Sequence, residues 1–160
     1  MLSGLIVGGS LDVRKAFDSK WQNLSLKNRN RVAVFAAYSA TRRVEDYVVK
    51  YLKGLREVAS KIVVVFDNDL EHSELSKLDG IVDHIIFGRH GEYDFGSYKR
   101  GIAWLRENKL LENADDLILC NDSCYGPIKS FKAMFSTMES RKLDFWGATD
   151  NHSFGYHLQS

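Results

Sequence analysis

The 160-residue chain is poor in cysteine, with two, and in proline, with one. Cys120 and Cys124 flank a polar turn at C-x3-C spacing, which is neither a zinc-ribbon pair nor a redox C-x-x-C. They read as structural or incidental thiols; nothing suggests a secreted disulfide framework, and a reducing, cytoplasmic setting is the expectation. An excess of one charge is missing as well. With 22 basic and 21 acidic residues the formal net charge is +1, which argues against a dedicated nucleic-acid binder. There is no long apolar run: the patch Leu5-Ile6-Val7 lacks a basic leader and is far shorter than a signal core or a membrane span. Three phosphate-handling signatures are absent too. The segment "AAYSATRR" after the first apolar run has no glycine for a dinucleotide fingerprint, and no G-x-x-x-x-G-K-[ST] occurs. The "GATDN" stretch lacks the lysine that a receiver-like phosphoacceptor would carry.

What is present is enough chain for one domain, 44% hydrophobic and 27% charged, able to bury a single core without metals or disulfides. Residues 1–30 are expected to form an N-terminal arm, with Val13, Phe17, Trp21 and Leu24 at roughly helical spacing. A surface that touches a membrane or a neighbouring domain is the other reading of that arm. From residue 31 to 160 short apolar runs alternate with helical stripes. The runs are "RVAVFAAY", "KIVVVF", "DHIIFG", "DLILC" and "LDFWGATD", five strand candidates. Between the first two, Val44, Tyr47, Val48, Tyr51, Leu52, Leu55 and Val58 recur at three and four residues, as one amphipathic helix requires. A second helix starts near Asp94 and presents Phe95, Tyr98, Ile102 and Leu105. A third is expected to begin at Pro127, whose fixed φ suits a first turn, and to bury Ile128, Phe131, Phe135 and Met138. The fold class is therefore α/β, a mainly parallel sheet with helices on both faces.

In such a sheet ligands bind beyond the carboxyl ends of the strands, near the point where strand order reverses. Read in order, those ends carry Tyr38-Ser39, Asp67-Asn68-Asp69, Arg89 to Asp94, Asn121-Asp122-Ser123, and Thr149-Asp150-Asn151. Carboxylates, an arginine, hydroxyls and a helix start on one edge suit a nucleoside diphosphate gripped through a divalent cation, Mg²⁺ or Mn²⁺. Asp94, Gly96 and Ser97 fall where free helical N–H groups attract anions, and Gly96 would allow close backbone approach. Arg89 and Lys99 are candidates to neutralise diphosphate charge, with a solvated basic face as the plain alternative. Asp94 reads equally as a helix cap or as an acceptor for sugar hydroxyls. Asn121-Asp122-Ser123 reads as a ligand loop or as a simple Asx turn. His72, His84 and His90 have no metal-ligand spacing and read as surface or packed residues.

The stretches "RVAVFAAYS", "KIVVVFDNDL", "GRHGEYDFGSYKRGI", "DLILCNDSCYGPI", "LDFWGATD" and "YHLQS", in that order, resemble the rhamnan synthesis protein F family of polysaccharide-assembly proteins. The blocks "YDFGSYK" and "NDSCYGP" carry most of the likeness, which covers about residues 31 to 160. That family is similar in turn to GT-A type glycosyltransferases, with a Rossmann-like nucleotide-sugar domain and an Asp-x-Asp metal motif after the fourth strand. The resemblance puts Asp122 on the metal, with Asn121 and Ser123 in place of a second acid. It puts Asp67 at the nucleoside, a solvated turn being the other reading of that residue. Tyr38 reads as a stacking face for the base or as a half-buried rim residue, and Asp150 and His157 are the remaining candidates for acid/base or metal roles. The resemblance implies transfer of a glycosyl group from a nucleotide sugar, dTDP-rhamnose being one donor, to a glycan or lipid-linked glycan at the inner face of the membrane. The ending at "YHLQS" falls short of the acceptor segment of such enzymes, so the chain reads as a truncated domain or part of a larger multidomain protein. A non-catalytic nucleotide-binding or assembly module of a glycan-synthesis complex is the rival reading.

Overall fold

The computed structural model describes residues 28–141, 143–151, 155 and 157–159, and at 150, 151 and 157–159 the backbone only. Most of the expected arm, residues 1–27, lies outside the described residues. The elements run β1 (Arg31–Ala37), α1 (Asp46–Arg56), β2 (Lys61–Phe66), α2 (His72–Leu75), a 3-10 turn, β3 (His84–Phe87), α3 (Tyr93–Glu107), β4 (Asp116–Asn121), α4 (Phe131–Glu139), β5 (Thr149–Asn151) and β6 (His157–Gln159). The first four strands form one all-parallel sheet in the order β3-β2-β1-β4.

Every residue of β1 is buried, as a strand with no polar alternation must be when both its faces and both its edges are covered. The pleat divides its side chains between two cores. Ala33, Phe35 and Ala37 join Ile62, Val64 and Phe66 beneath Val48, Leu52 and Leu55 of α1 and Phe135 of α4. Val32, Val34 and Ala36 join Val63 and Val65 beneath Tyr98 and Leu105 of α3. α3 lies directly on β1: a Cβ at Gly101 would stand 2.3 Å from Val34 Cγ1. The C-terminal end of α1 is fastened to the start of β3 by Arg56, which donates to Ile81 O and pairs with Asp83. Asp83 in turn accepts from Ile62 N.

Three local expectations are corrected. Phe95 does not face inward but is 84% exposed, because the buried side of α3 is Gly96, Ser97, Tyr98, Gly101 and Leu105, small residues that let the helix sit close. α4 starts not at Pro127 but after Ser130, whose Oγ accepts from Lys132 N at 3.2 Å as an N-cap. Pro127 packs in the preceding loop against Gly54, and Ile128 is 93% exposed rather than buried. "LDFWGATD" adds no fifth strand to the main sheet. Asp144 and Gly147 disfavour extended pairing, Leu143 and Phe145 are exposed, and Trp146 packs edge-on against Phe135 at 5.0 Å. Only Thr149–Asn151 is extended, and it pairs antiparallel with β6 in a separate two-stranded sheet.

Candidate functional site: the crevice between β1 and β4

The chain leaves β1 toward β2 and β3 and returns to the other side of β1 as β4, so strand order reverses between β1 and β4. Asp122 stands at that reversal. Its N–H continues the ladder by donating to Ala36 O at 3.1 Å, and its side chain turns back so that Oδ2 accepts from Tyr38 N at 2.8 Å. Burial raises the pKa of this carboxyl and the charge of Asp94 raises it further, against the N–H donors of Tyr38 and of Asp122 itself. Asp94, in the first turn of α3, accepts from Asn121 Nδ2 at 2.7 Å. It is not the helix cap, since that position is Glu92, which makes no side-chain capping bond. Ser123 N donates to Asn121 Oδ1 at 3.3 Å, an Asx-type turn, and the Ser123 side chain is exposed. Tyr38 is 53% exposed at the end of β1. Tyr38, Asp94, Asn121, Asp122 and Ser123 are thus brought together.

A second group of predicted residues closes on itself. Asp67 Oδ1 accepts from His90 N at 2.6 Å and from Gly91 N at 2.8 Å. Burial opposes its ionisation, but those two N–H donors and the nearby His90 and Arg89 outweigh burial, so its pKa is lowered. His90 Nδ1 accepts from Glu92 N at 3.1 Å, which places the ring proton on Nε2, donating to Ser97 Oγ at 3.0 Å. The order Asp67, His90, Ser97 looks like a nucleophile relay, yet Ser97 is only 1% exposed and its hydroxyl is not offered to a substrate. A Cβ at Gly96 would stand 2.2 Å from Glu92 Cβ and 2.9 Å from His90 Nδ1, so the room there is filled by protein. Lys99 and Arg100 both pair with Glu92, whose carboxyl they hold down at about 2. Arg89 is exposed beside Asp67. Asp150 lies opposite Leu158 and His157 opposite Asn151 in the β5/β6 ribbon, and their side chains are outside the described atoms.

Sequence reading missed the tyrosine pair beside Asp122. Tyr125 is 80% exposed and rests on Tyr47, ring centroids 4.7 Å apart. Burial raises the pKa of the Tyr47 phenol first, and the charge of Asp122 raises it next, which places that ring beside the carboxylate. Tyr47 had signalled only a helical stripe; its position in the first turn of α1 was the available clue. Asn68 was missed as well. Its Oδ1 accepts from Ser39 N at 2.8 Å and so ties the ends of β1 and β2 together. Two surface hollows of about 340 and 350 Å³ lie elsewhere, one around Arg29, Arg31 and Arg56 and one along Asp46, Val49, Lys50 and Lys53. Among the described residues no group of three His, Cys, Asp or Glu is placed to hold a metal ion, and no helix is long and apolar enough to cross a membrane.

The model of the family described as rhamnan synthesis protein F matches residues 62–160, more than half of the chain. The chain belongs to the rhamnan synthesis protein F family. Membership ties it to the synthesis of rhamnan or a related polysaccharide. This rhamnan synthesis protein F domain is also 29% identical over 137 residues to the Virulence protein VirA of Vibrio anguillarum strain ATCC 68554 / 775, covering 84% of the chain and 42% of VirA. A second Vibrio anguillarum VirA sequence matches to the same extent. The chain thus spans about 42% of the length of the curated relatives it matches. No solved structure matches it.

Proposed function

We propose that this domain binds a nucleotide-activated sugar in the β1–β4 crevice and serves transfer of its glycosyl group to a glycan or lipid-linked glycan acceptor, at the cytoplasmic face of a membrane. The observation that carries the reading is Asp122, held at the strand-order reversal by Tyr38 N–H and facing the charge of Asp94. Among the described residues no lysine or arginine pairs with either carboxylate; Lys99 and Arg100 are engaged by Glu92. A diphosphate placed there meets two like charges in a partly desolvated crevice, which is unfavourable unless a cation stands between them. The donor set fits an ion such as Mg²⁺ or Mn²⁺ that takes one or two protein carboxylates and completes its shell with phosphate and water oxygens. Bound there by Asp122, with Asp94 beside it, such an ion would stabilise the charge of a departing diphosphate. Asn121 holds Asp94 in place, and the half-exposed Tyr38 ring offers a stacking face for a base such as the thymine of dTDP-rhamnose.

The test is thermal shift with dTDP, UDP and GDP, each with and without Mn²⁺, on the wild type and on Asp122→Asn. A nucleotide bound only by the folded form at 100 times its Kd stabilises by about 2.7 kcal/mol, roughly 5–11 °C for a chain of this size. The expected result is stabilisation by at least one diphosphate that needs Mn²⁺ and is lost in Asp122→Asn. No shift with any nucleotide, or a shift indifferent to both metal and Asp122, removes the reading. Donor bound but never hydrolysed or transferred would make the domain a binding module of a glycan-synthesis complex.

A further inference from the structure

Among the described residues three that are not glycine have a left-handed backbone. Lys109 (φ 57°) follows the C-terminal end of α3, where that conformation is ordinary, and Tyr93 (φ 54°) opens the same helix. Arg42 (φ 61°) is in the loop between β1 and α1, neither stopping nor starting a helix. A side chain there is strained where glycine would not be. The surroundings hold the strain in place: Arg42 N donates to Ser39 O at 3.2 Å, Arg43 N to Ser39 Oγ at 3.2 Å, and Glu71 N to Arg42 O at 3.0 Å. Nothing in the fold offsets it, because the Arg42 side chain is exposed and makes no hydrogen bond or ion pair among the described residues. Strain fixed by neighbours around an idle side chain is the mark of a ligand-facing residue rather than a packing one.

Its place points to the ligand. Tyr38 N is held by Asp122 Oδ2 at 2.8 Å, and the Arg42 N to Ser39 O bond closes the turn that follows, with the Cα atoms of Ser39 and Arg42 within about 7 Å. The arginine thus springs from one turn beyond the residue that Asp122 clamps. Charge argues the same way. In the function proposed above, the carboxylates of Asp122 and Asp94 cancel a divalent ion, so the charge of the diphosphate itself is left over. Lys99 and Arg100 are engaged by Glu92, Arg89 acts on Asp67, and Arg43 acts on Glu74. We infer that the Arg42 guanidinium binds the diphosphate of the nucleotide from the β1 side of the crevice. Its planar fork matches a pair of phosphate oxygens, and the contact strengthens as charge builds on the departing diphosphate. This deepens the donor-site reading and rests on it.

The experiment measures binding of dTDP, UDP and GDP at saturating Mn²⁺ to the 160-residue chain by calorimetry, alongside melting temperatures. Arg42→Gly removes both the charge and the strain; Arg42→Asn removes the charge and keeps a side chain that tolerates the left-handed region. Both should weaken the bound diphosphate about tenfold or more, and Arg42→Lys, with charge but no fork, should fall between. Arg42→Gly should nonetheless melt about 2–4 °C above wild type. Lys109→Gly, which relieves the same strain at the far end of α3, should melt higher too and bind as wild type does. Wild-type affinity in both Arg42→Gly and Arg42→Asn overturns this inference alone. So does a lowered melting temperature in Arg42→Gly, which would make the arginine a structural residue of its turn. A wild type that binds no diphosphate defeats the donor-site reading and this inference with it.

Discussion

Replacing Asp67 by alanine should loosen the loop from Gly88 to Glu92 and lower the stability of the whole domain. Asp67 Oδ1 is the acceptor for two backbone donors, His90 N at 2.6 Å and Gly91 N at 2.8 Å, and its side chain is only 14% exposed. Hydrogen bonds to a charged group contribute about 1.5–3 kcal/mol each; because water can reach the Gly91 N–H in the variant, the pair is put at about 3 kcal/mol rather than at the full sum. For a chain of this length that corresponds to a fall in Tm of roughly 6–12 °C. Asp67→Asn keeps an acceptor oxygen and loses the charge, so it should fall between wild type and Asp67→Ala. The folded-state pKa of Asp67 is lowered from its ordinary value of 3.8. Its stabilisation is therefore fully present above that value and disappears as pH falls through the lower folded-state value. Urea denaturation at pH 7 and pH 3, followed by circular dichroism, should show a large wild-type advantage at pH 7 and a smaller one at pH 3. Amide exchange should speed up at His90 and Gly91 in the variant. An Asp67→Ala protein within about 0.5 kcal/mol of wild type at pH 7, where ordinary surface substitutions fall, or a gap that widens on acidification, would refute the loop-anchor reasoning.

Gly54→Ala would bring a Cβ to 2.5 Å from Pro127 Cγ, so overpacking should cost about 1–3 kcal/mol, read as a lower urea midpoint. Leu52→Ala deletes a side chain with 0% exposure at the centre of the α1 core and should cost about 2–5 kcal/mol in the same assay. Of the two thiols, Cys124 is exposed while burial pushes Cys120 up to about 12. Native protein should titrate one thiol rapidly with a disulfide reagent at pH 8, and the second only in denaturant.

The parallel sheet was legible because β1 and β2 are unbroken apolar runs, which suit strands covered on both faces. The span of α1 was legible from its apolar spacing, which places Val48, Leu52 and Leu55 on the core. Periodicity failed where burial is achieved by absence of side chain. α3 turns Gly96, Ser97 and Gly101 inward, and a count of apolar positions credits Phe95 instead. The start of α4 was misplaced because Pro127 is a strong conformational signal while the operative one, Ser130 ahead of Phe131, is a single hydroxyl. At the site, strand ends told which loops converge but not which acceptors the loops would take for themselves. Asp67 and Ser97 look available in one dimension, and both are engaged by His90, twenty-three and seven residues away.

The close seat of α3 on β1 has a bearing on the crevice seven residues away. Helix rise makes that interval about 10 Å, so Gly101 on Val34 acts as the fulcrum and Asp94 as the far tip of a stiff beam. A side chain added at the fulcrum would tilt the beam and swing the tip off Asn121 without any change at the rim itself. The alignment of the two acids is thereby governed by a contact in the middle of the sheet.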